Sequence, residues 1–84
     1  MCYVYVIANE NNKIYIGRTN DLRRRIEEHN KGKNISTKGH QWRLVYYEAY
    51  RSEGDAVRRE NNLKYHGQSK RWLKSRIVMS LKMM

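Results

Sequence analysis

Residues 2–8, Cys-Tyr-Val-Tyr-Val-Ile-Ala, form an unbroken apolar and aromatic run, β-branched at Val4, Val6 and Ile7. A run this short is a strand rather than a helix, and apolar side chains on both parities make it buried on both faces. It must therefore be a central strand. Asn9-Glu10-Asn11-Asn12 supplies turn residues, and a second β run, Lys13-Ile14-Tyr15-Ile16-Gly17, follows. The two read as a hairpin. Parity places Tyr3, Tyr5 and Ile7 on one face of the first strand, and Lys13, Tyr15 and Gly17 on one face of the second.

The remaining elements follow from punctuation and period. Thr19-Asn20-Asp21 is a helix start, and Gly32 is a stop, so a helix is expected over about 21–31. Its apolar stripe is thin, Leu22 and Ile26 only, with Arg25 and His29 one turn apart beside it. Residues 31–41, with two glycines and three lysines, read as a mobile basic loop with almost nothing to bury. Trp42 to Tyr50 reads as a third strand. Ser52-Glu53-Gly54-Asp55 resembles a capping box, opening a helix that ends near Gly67. Ser69 would cap a last helix with Leu73, Ile77 and Leu81 inward. The expected fold is α/β (α+β): one domain over residues 1–84, a small three-stranded antiparallel sheet flanked by helices, order β-β-α-β-α-α.

Charge narrows the partner. Eighteen Lys and Arg face eight Asp and Glu, a formal net charge of +10 on 84 residues. Such a field favours a polyanion, nucleic acid before an acidic membrane, and disfavours an acidic protein or neutral metabolite. One cysteine allows no internal disulfide, which suggests a reducing, cytoplasmic setting. No apolar run is long enough to span a bilayer, and the N-terminus does not read as a signal peptide. Cys2, His29, His40 and His66 lack the paired spacing of a zinc site.

One position breaks the helical pattern. In the second helix the inward stripe should be Ala56, residue 60 and Leu63, yet residue 60 is Glu. A buried charge needs a partner, either a cation or an arginine such as Arg25. Taken singly, Tyr5 and Tyr15 read as core aromatics, Arg25 as a solvated member of an arginine run, and His29 as a surface histidine.

Together they read differently. Tyr3-Val4-Tyr5, then Tyr15-Ile16-Gly17 ten residues on, then Arg25 and His29 on the first helix, then helical Glu60, resemble the GIY-YIG nuclease family. The chain looks most like its short stand-alone members, which are similar to the N-terminal nuclease domain of the excision-repair endonuclease. The likeness covers about residues 2–67. It implies a divalent-metal-dependent endonuclease that hydrolyses DNA phosphodiester bonds, in DNA repair or recombination. The alternative is a non-catalytic nucleic-acid-binding module that retains the fold.

The resemblance also implies roles. Glu60 would hold Mg²⁺ or Mn²⁺, with water and phosphate filling its other positions. Tyr5 would orient or deprotonate the attacking water, and Tyr15 would be a second phenol. Arg25 would clamp non-bridging phosphate oxygens. His29 matches a position that is often His or Tyr. Because a phenol ordinarily titrates near 10, Arg25 and Arg18 are expected to lower Tyr5. Arg18, Arg23, Arg24, Lys31, Lys33 and Lys38 would contact DNA phosphates, which position a strand without reading its sequence.

Overall fold

The computed structural model describes residues 1–83. Strands β1 (Cys2–Asn9), β2 (Ile14–Thr19) and β3 (Trp42–Tyr50) form one antiparallel sheet in the order β2-β1-β3. The apolar run 2–8 is thus the central strand, as its double-faced hydrophobicity requires. Helix α1 (Leu22–Asn30) lies between β2 and β3, and α2 (Glu53–Tyr65), α3 (Gly67–Arg76) and α4 (Val78–Lys82) follow β3.

The pleat divides the core in two. Cys2, Val4, Val6 and Ile16 pack on one side against Ala56, Leu63, Leu73 and Ile77 of the C-terminal half. Tyr5, Ile7 and Trp42 pack on the other side with Tyr15, Leu22 and Ile26. Helix α2 therefore covers one face and α1 the opposite face. At the hairpin, Asn12 takes the left-handed conformation at φ 59°, and Asn9 Oδ1 accepts from the Asn11 and Lys13 amides. An asparagine tolerates that φ better than most non-glycine residues.

Helix α1 begins and ends where its capping residues dictate. Asp21 accepts from the Arg24 amide, and Gly32, at φ +76°, closes the C-terminus. Three details of the C-terminal half differ from expectation. The Ser52 side chain makes no capping bond, so the capping box is not formed. His66 separates α2 from α3, which starts at Gly67 rather than at Ser69. The last helix also breaks at Ile77, with Leu73 and Ile77 buried but Leu81 only partly so.

The segment after α1 is not a featureless mobile loop. Ile35–Thr37 forms a 3-10 turn whose N-cap, Asn34, accepts from the Ser36 amide. Thr37 is fully buried. Its carbonyl accepts the Trp42 indole N–H at 2.8 Å, while Asn30 brackets the Trp42 backbone amide and carbonyl. These bonds tie the end of α1, the turn and the start of β3 into one unit. No helix among the described residues is long and apolar enough to cross a membrane.

Candidate active site

Tyr5 and Gly17 are direct partners in the β1–β2 ladder. Their side chains share the α1 face, and the Tyr5 ring occupies the space a Cβ at residue 17 would need, with its Cε2 only 3.0 Å from that point. Glycine at 17 lets the phenol lie flat across β2 toward the free edge of the sheet. That is a close-approach requirement, not a turn requirement.

Beneath α1 the phenol meets a histidine. The Tyr5 hydroxyl lies 2.7 Å from His29 Nε2, and His29 Nδ1 lies 2.7 Å from Thr37 Oγ1. His29 and Thr37 are both fully buried. The reading of His29 as a surface histidine is therefore wrong. It sits on the inner side of α1, and Tyr5 and Thr37 satisfy both ring nitrogens. The Tyr15 ring stands edge-on to His29, with centroids 5.0 Å apart.

Electrostatics at Tyr5 run opposite to expectation. Burial pushes its phenol up to about 12, against the downward pull of the adjacent Arg25 guanidinium, and Tyr15 and Glu60 raise it further. Arg18 does not offset this, because its side chain serves Glu60 instead. Burial, with Arg25 close by, also lowers His29 below the usual imidazole range. The pair is thus a neutral phenol facing a neutral imidazole near pH 7.

Glu60 comes from α2, on the opposite face, and meets the others around the edge of β2. Its Oε1 accepts from Arg18 Nε at 3.3 Å, and its Oε2 pairs with Lys64 Nζ at 3.0 Å. The expected pairing with Arg25 does not form; Arg25 pairs with Glu28. Lys64 bridges to the α1 face, its Nζ lying 5.8 Å from the centroid of the Tyr15 ring. Tyr5, Tyr15, Arg25 and His29 therefore form one cluster, and Glu60 borders it across the β2 edge.

The basic residues divide by position. Arg18, Arg24 and Arg51, with Glu53, line a cleft of about 490 Å³ that continues from the Glu60 edge through Arg18. Arg23 is exposed on α1, outside that lining. Lys31, Lys33 and Lys38 are exposed and flank the 3-10 turn. Sequence reasoning missed Arg51, Lys64 and Thr37. For Thr37 the available signal was the Asn34-x-Ser36 capping pattern, which marks an ordered turn. Among the described residues no three His, Cys, Asp or Glu side chains converge.

This geometry has relatives. The GIY-YIG catalytic domain family matches residues 1–75. A UPF0213 protein of Haloquadratum walsbyi is 32% identical over 71 residues, covering 82% of this chain and 80% of that one. A UPF0213 protein of Staphylococcus haemolyticus is 39% identical over 64 residues, covering 74% and 78%. The solution structure of a UPF0213 protein of Bacillus halodurans superposes with a TM-score of 0.56 at 30% identity, over 92% of this chain and 87% of that one. With the family match spanning most of its length, and Tyr5, Tyr15-Ile16-Gly17 and Arg25 gathered at one sheet edge, the chain belongs to the GIY-YIG nuclease domain family.

Proposed function

We propose that the protein is a divalent-metal-dependent endonuclease that hydrolyses DNA phosphodiester bonds at the β2 edge. One observation carries this reading: the buried 2.7 Å hydrogen bond between the Tyr5 hydroxyl and His29 Nε2, placed beside Arg25. A structural tyrosine needs only some partner for its hydroxyl. A phenol set between an imidazole and a guanidinium, on a surface open to an anionic strand, is equipped for proton transfer next to a phosphate.

The chain's own groups have definable tasks. Arg25 engages the non-bridging phosphate oxygens. Tyr5, held near 12, is not a standing tyrosinate at neutral pH. It accepts a proton from the attacking water while passing its own hydrogen to His29 Nε2. The water oxygen bonds to phosphorus as the bond to the leaving sugar oxygen breaks, and His29 returns its proton to solvent. The donor set at Glu60 fits a hard dication. Each carboxylate oxygen keeps a lone pair beyond those engaged by Arg18 and Lys64. With no second acid converging among the described residues, water and phosphate oxygens would complete the coordination of Mg²⁺ or Mn²⁺. When bound there, the ion supplies stabilisation of the charge developing on the phosphoryl group and leaving oxygen.

The strand beside the scissile phosphate enters the Arg18–Arg24–Arg51 cleft, and Lys31, Lys33 and Lys38 contact phosphates on the α1 side. The free, buried Cys2 suits a reducing cytoplasmic setting. A second reading, a non-catalytic DNA-binding module, draws support from the two ion pairs that already engage Glu60. The deciding experiment incubates the protein with plain, nicked and branched duplexes in Mg²⁺, Mn²⁺ or EDTA. Metal-dependent cleavage that Tyr5→Phe removes is expected. DNA binding without cleavage of any substrate would favour the binding module.

A further inference from the structure

A neutral imidazole carries one N–H, so of the two hydrogen bonds at His29 one is donated by the ring and one is accepted. The partners at the two ends decide which. At Nδ1, the Thr37 hydroxyl has an outlet for its single hydrogen in the Asn34 carbonyl at 3.4 Å, which leaves Oγ1 to accept from the ring. At Nε2, the phenol oxygen of Tyr5 already lies beside Arg25, a group that only donates. The phenol hydrogen then has His29 Nε2 as its acceptor. Both ends select the same tautomer, with hydrogen on Nδ1 and a lone pair on Nε2 facing Tyr5.

We propose that Thr37 is a positioning residue for the reaction: its hydroxyl holds His29 in the tautomer whose Nε2 can take the Tyr5 proton. The inference rests on the reading of Tyr5 and His29 as the proton-transfer pair. Burial makes the device necessary. In water an imidazole exchanges tautomers freely, but a fully buried ring takes the form its fixed partners dictate. Remove the Thr37 hydroxyl and Nδ1–H loses its acceptor. The ring then gains by moving its hydrogen to Nε2 and donating to the Tyr5 oxygen, which leaves the phenol hydrogen with no base to receive it. The turn is well anchored for this task, since the Trp42 indole holds the Thr37 carbonyl and the Asn34 carbonyl receives the Thr37 amide.

The test compares wild type, Thr37→Val, Thr37→Ala and Thr37→Ser, using the full chain labelled with ¹⁵N at histidine. Nitrogen chemical shifts report which ring atom of His29 carries hydrogen. Wild type and Thr37→Ser should show Nδ1–H, and Thr37→Val should move toward Nε2–H. Cleavage of a duplex in Mg²⁺ should fall on the order of tenfold to a hundredfold in kcat for Thr37→Val, as expected when a general base is misdirected. Thr37→Ser should restore most of it, and DNA affinity should stay near wild type. Thr37→Ala lacks both the hydroxyl and the branched shape, so it replaces Thr37→Val if that protein does not fold. Nε2–H in the wild type, an unchanged tautomer in the hydroxyl-free variant, or a switched tautomer with unchanged kcat would each overturn the proposal. In those cases a cleaving wild type leaves the nuclease reading standing. A wild type that cuts no DNA would instead remove that reading, and the positioning role with it.

Discussion

The ring of Tyr5 fills the volume that any side chain at Gly17 would occupy, so the two positions act as one unit across the β1–β2 ladder. Gly17→Ala should force the phenol away from His29 and break the 2.7 Å bond. Overpacking of this kind costs about 1–3 kcal/mol. A lower melting temperature together with loss of cleavage is expected. Wild-type cleavage in Gly17→Ala would mean that the phenol need not lie across β2.

Glu60 separates an enzyme from a binder. If it holds the catalytic cation, Glu60→Gln should abolish cleavage and preserve DNA affinity, since the amide is a poor ligand for a hard dication. If it serves only Arg18 and Lys64, the same substitution should lower the melting temperature and leave cleavage intact. Melting, binding and cleavage measured on one preparation distinguish the two. A Glu60→Gln protein cutting at the wild-type rate in Mg²⁺ would remove Glu60 from the reaction.

Arg25 lies beside the phenol and lowers it against the larger upward effect of burial. Arg25→Ala should therefore raise the Tyr5 phenol still further, visible as a later tyrosinate absorbance step on alkaline titration. Cleavage should drop by about a hundredfold, the scale for losing a transition-state charge partner. DNA binding should weaken as well, because the same guanidinium holds the ground-state phosphate.

Acid stability should report His29. Burial holds its folded value below the unfolded value of about 6.5, so the unfolded chain binds the extra proton as pH falls through that range. Stability is then full above about 6.5 and declines on acidification until the folded value is passed. Two carboxylates act in a lower window. Glu10 is held low by its bond to His40, and at Glu48 burial pushes upward but the Arg59 guanidinium prevails. Their contribution is present above about 4.5 and lost as pH falls through their folded values. Melting temperature followed from neutral pH toward about 5 should fall in the wild type. It should flatten in His29→Gln, and an identical slope in both would assign the effect elsewhere.

Salt dependence tests the arginine cleft. DNA affinity should fall with a log–log slope of about −0.9 per phosphate neutralised, so five contacts give roughly −4 to −5. Replacing Arg24 and Arg51 together with Gln should make the slope shallower by about two units. An unchanged slope would place the strand away from the cleft that these residues line.

The central strand, the face shared by Tyr5, Tyr15 and Gly17, the ends of α1 and the odd charge at residue 60 were all legible in the amino-acid order. Each is a local property, carried by period, capping or composition within one element. The partners of those residues were not legible there. Tyr5 meets His29 across 24 residues and Arg18 meets Glu60 across 42. No periodicity within a helix or strand encodes a contact at that separation. Thr37 shows the limit most plainly, because its segment is polar and aperiodic and nothing in it signals burial. It is buried because the Trp42 indole, the Asn30 amide and the second nitrogen of His29 all need partners in the same place. Unpaired polar groups cost more in the interior than ordering a short turn does. The Tyr5 pKa turned on the same distinction. Arginines near the phenol could be read from the chain, but the folded packing set the burial that outweighs them.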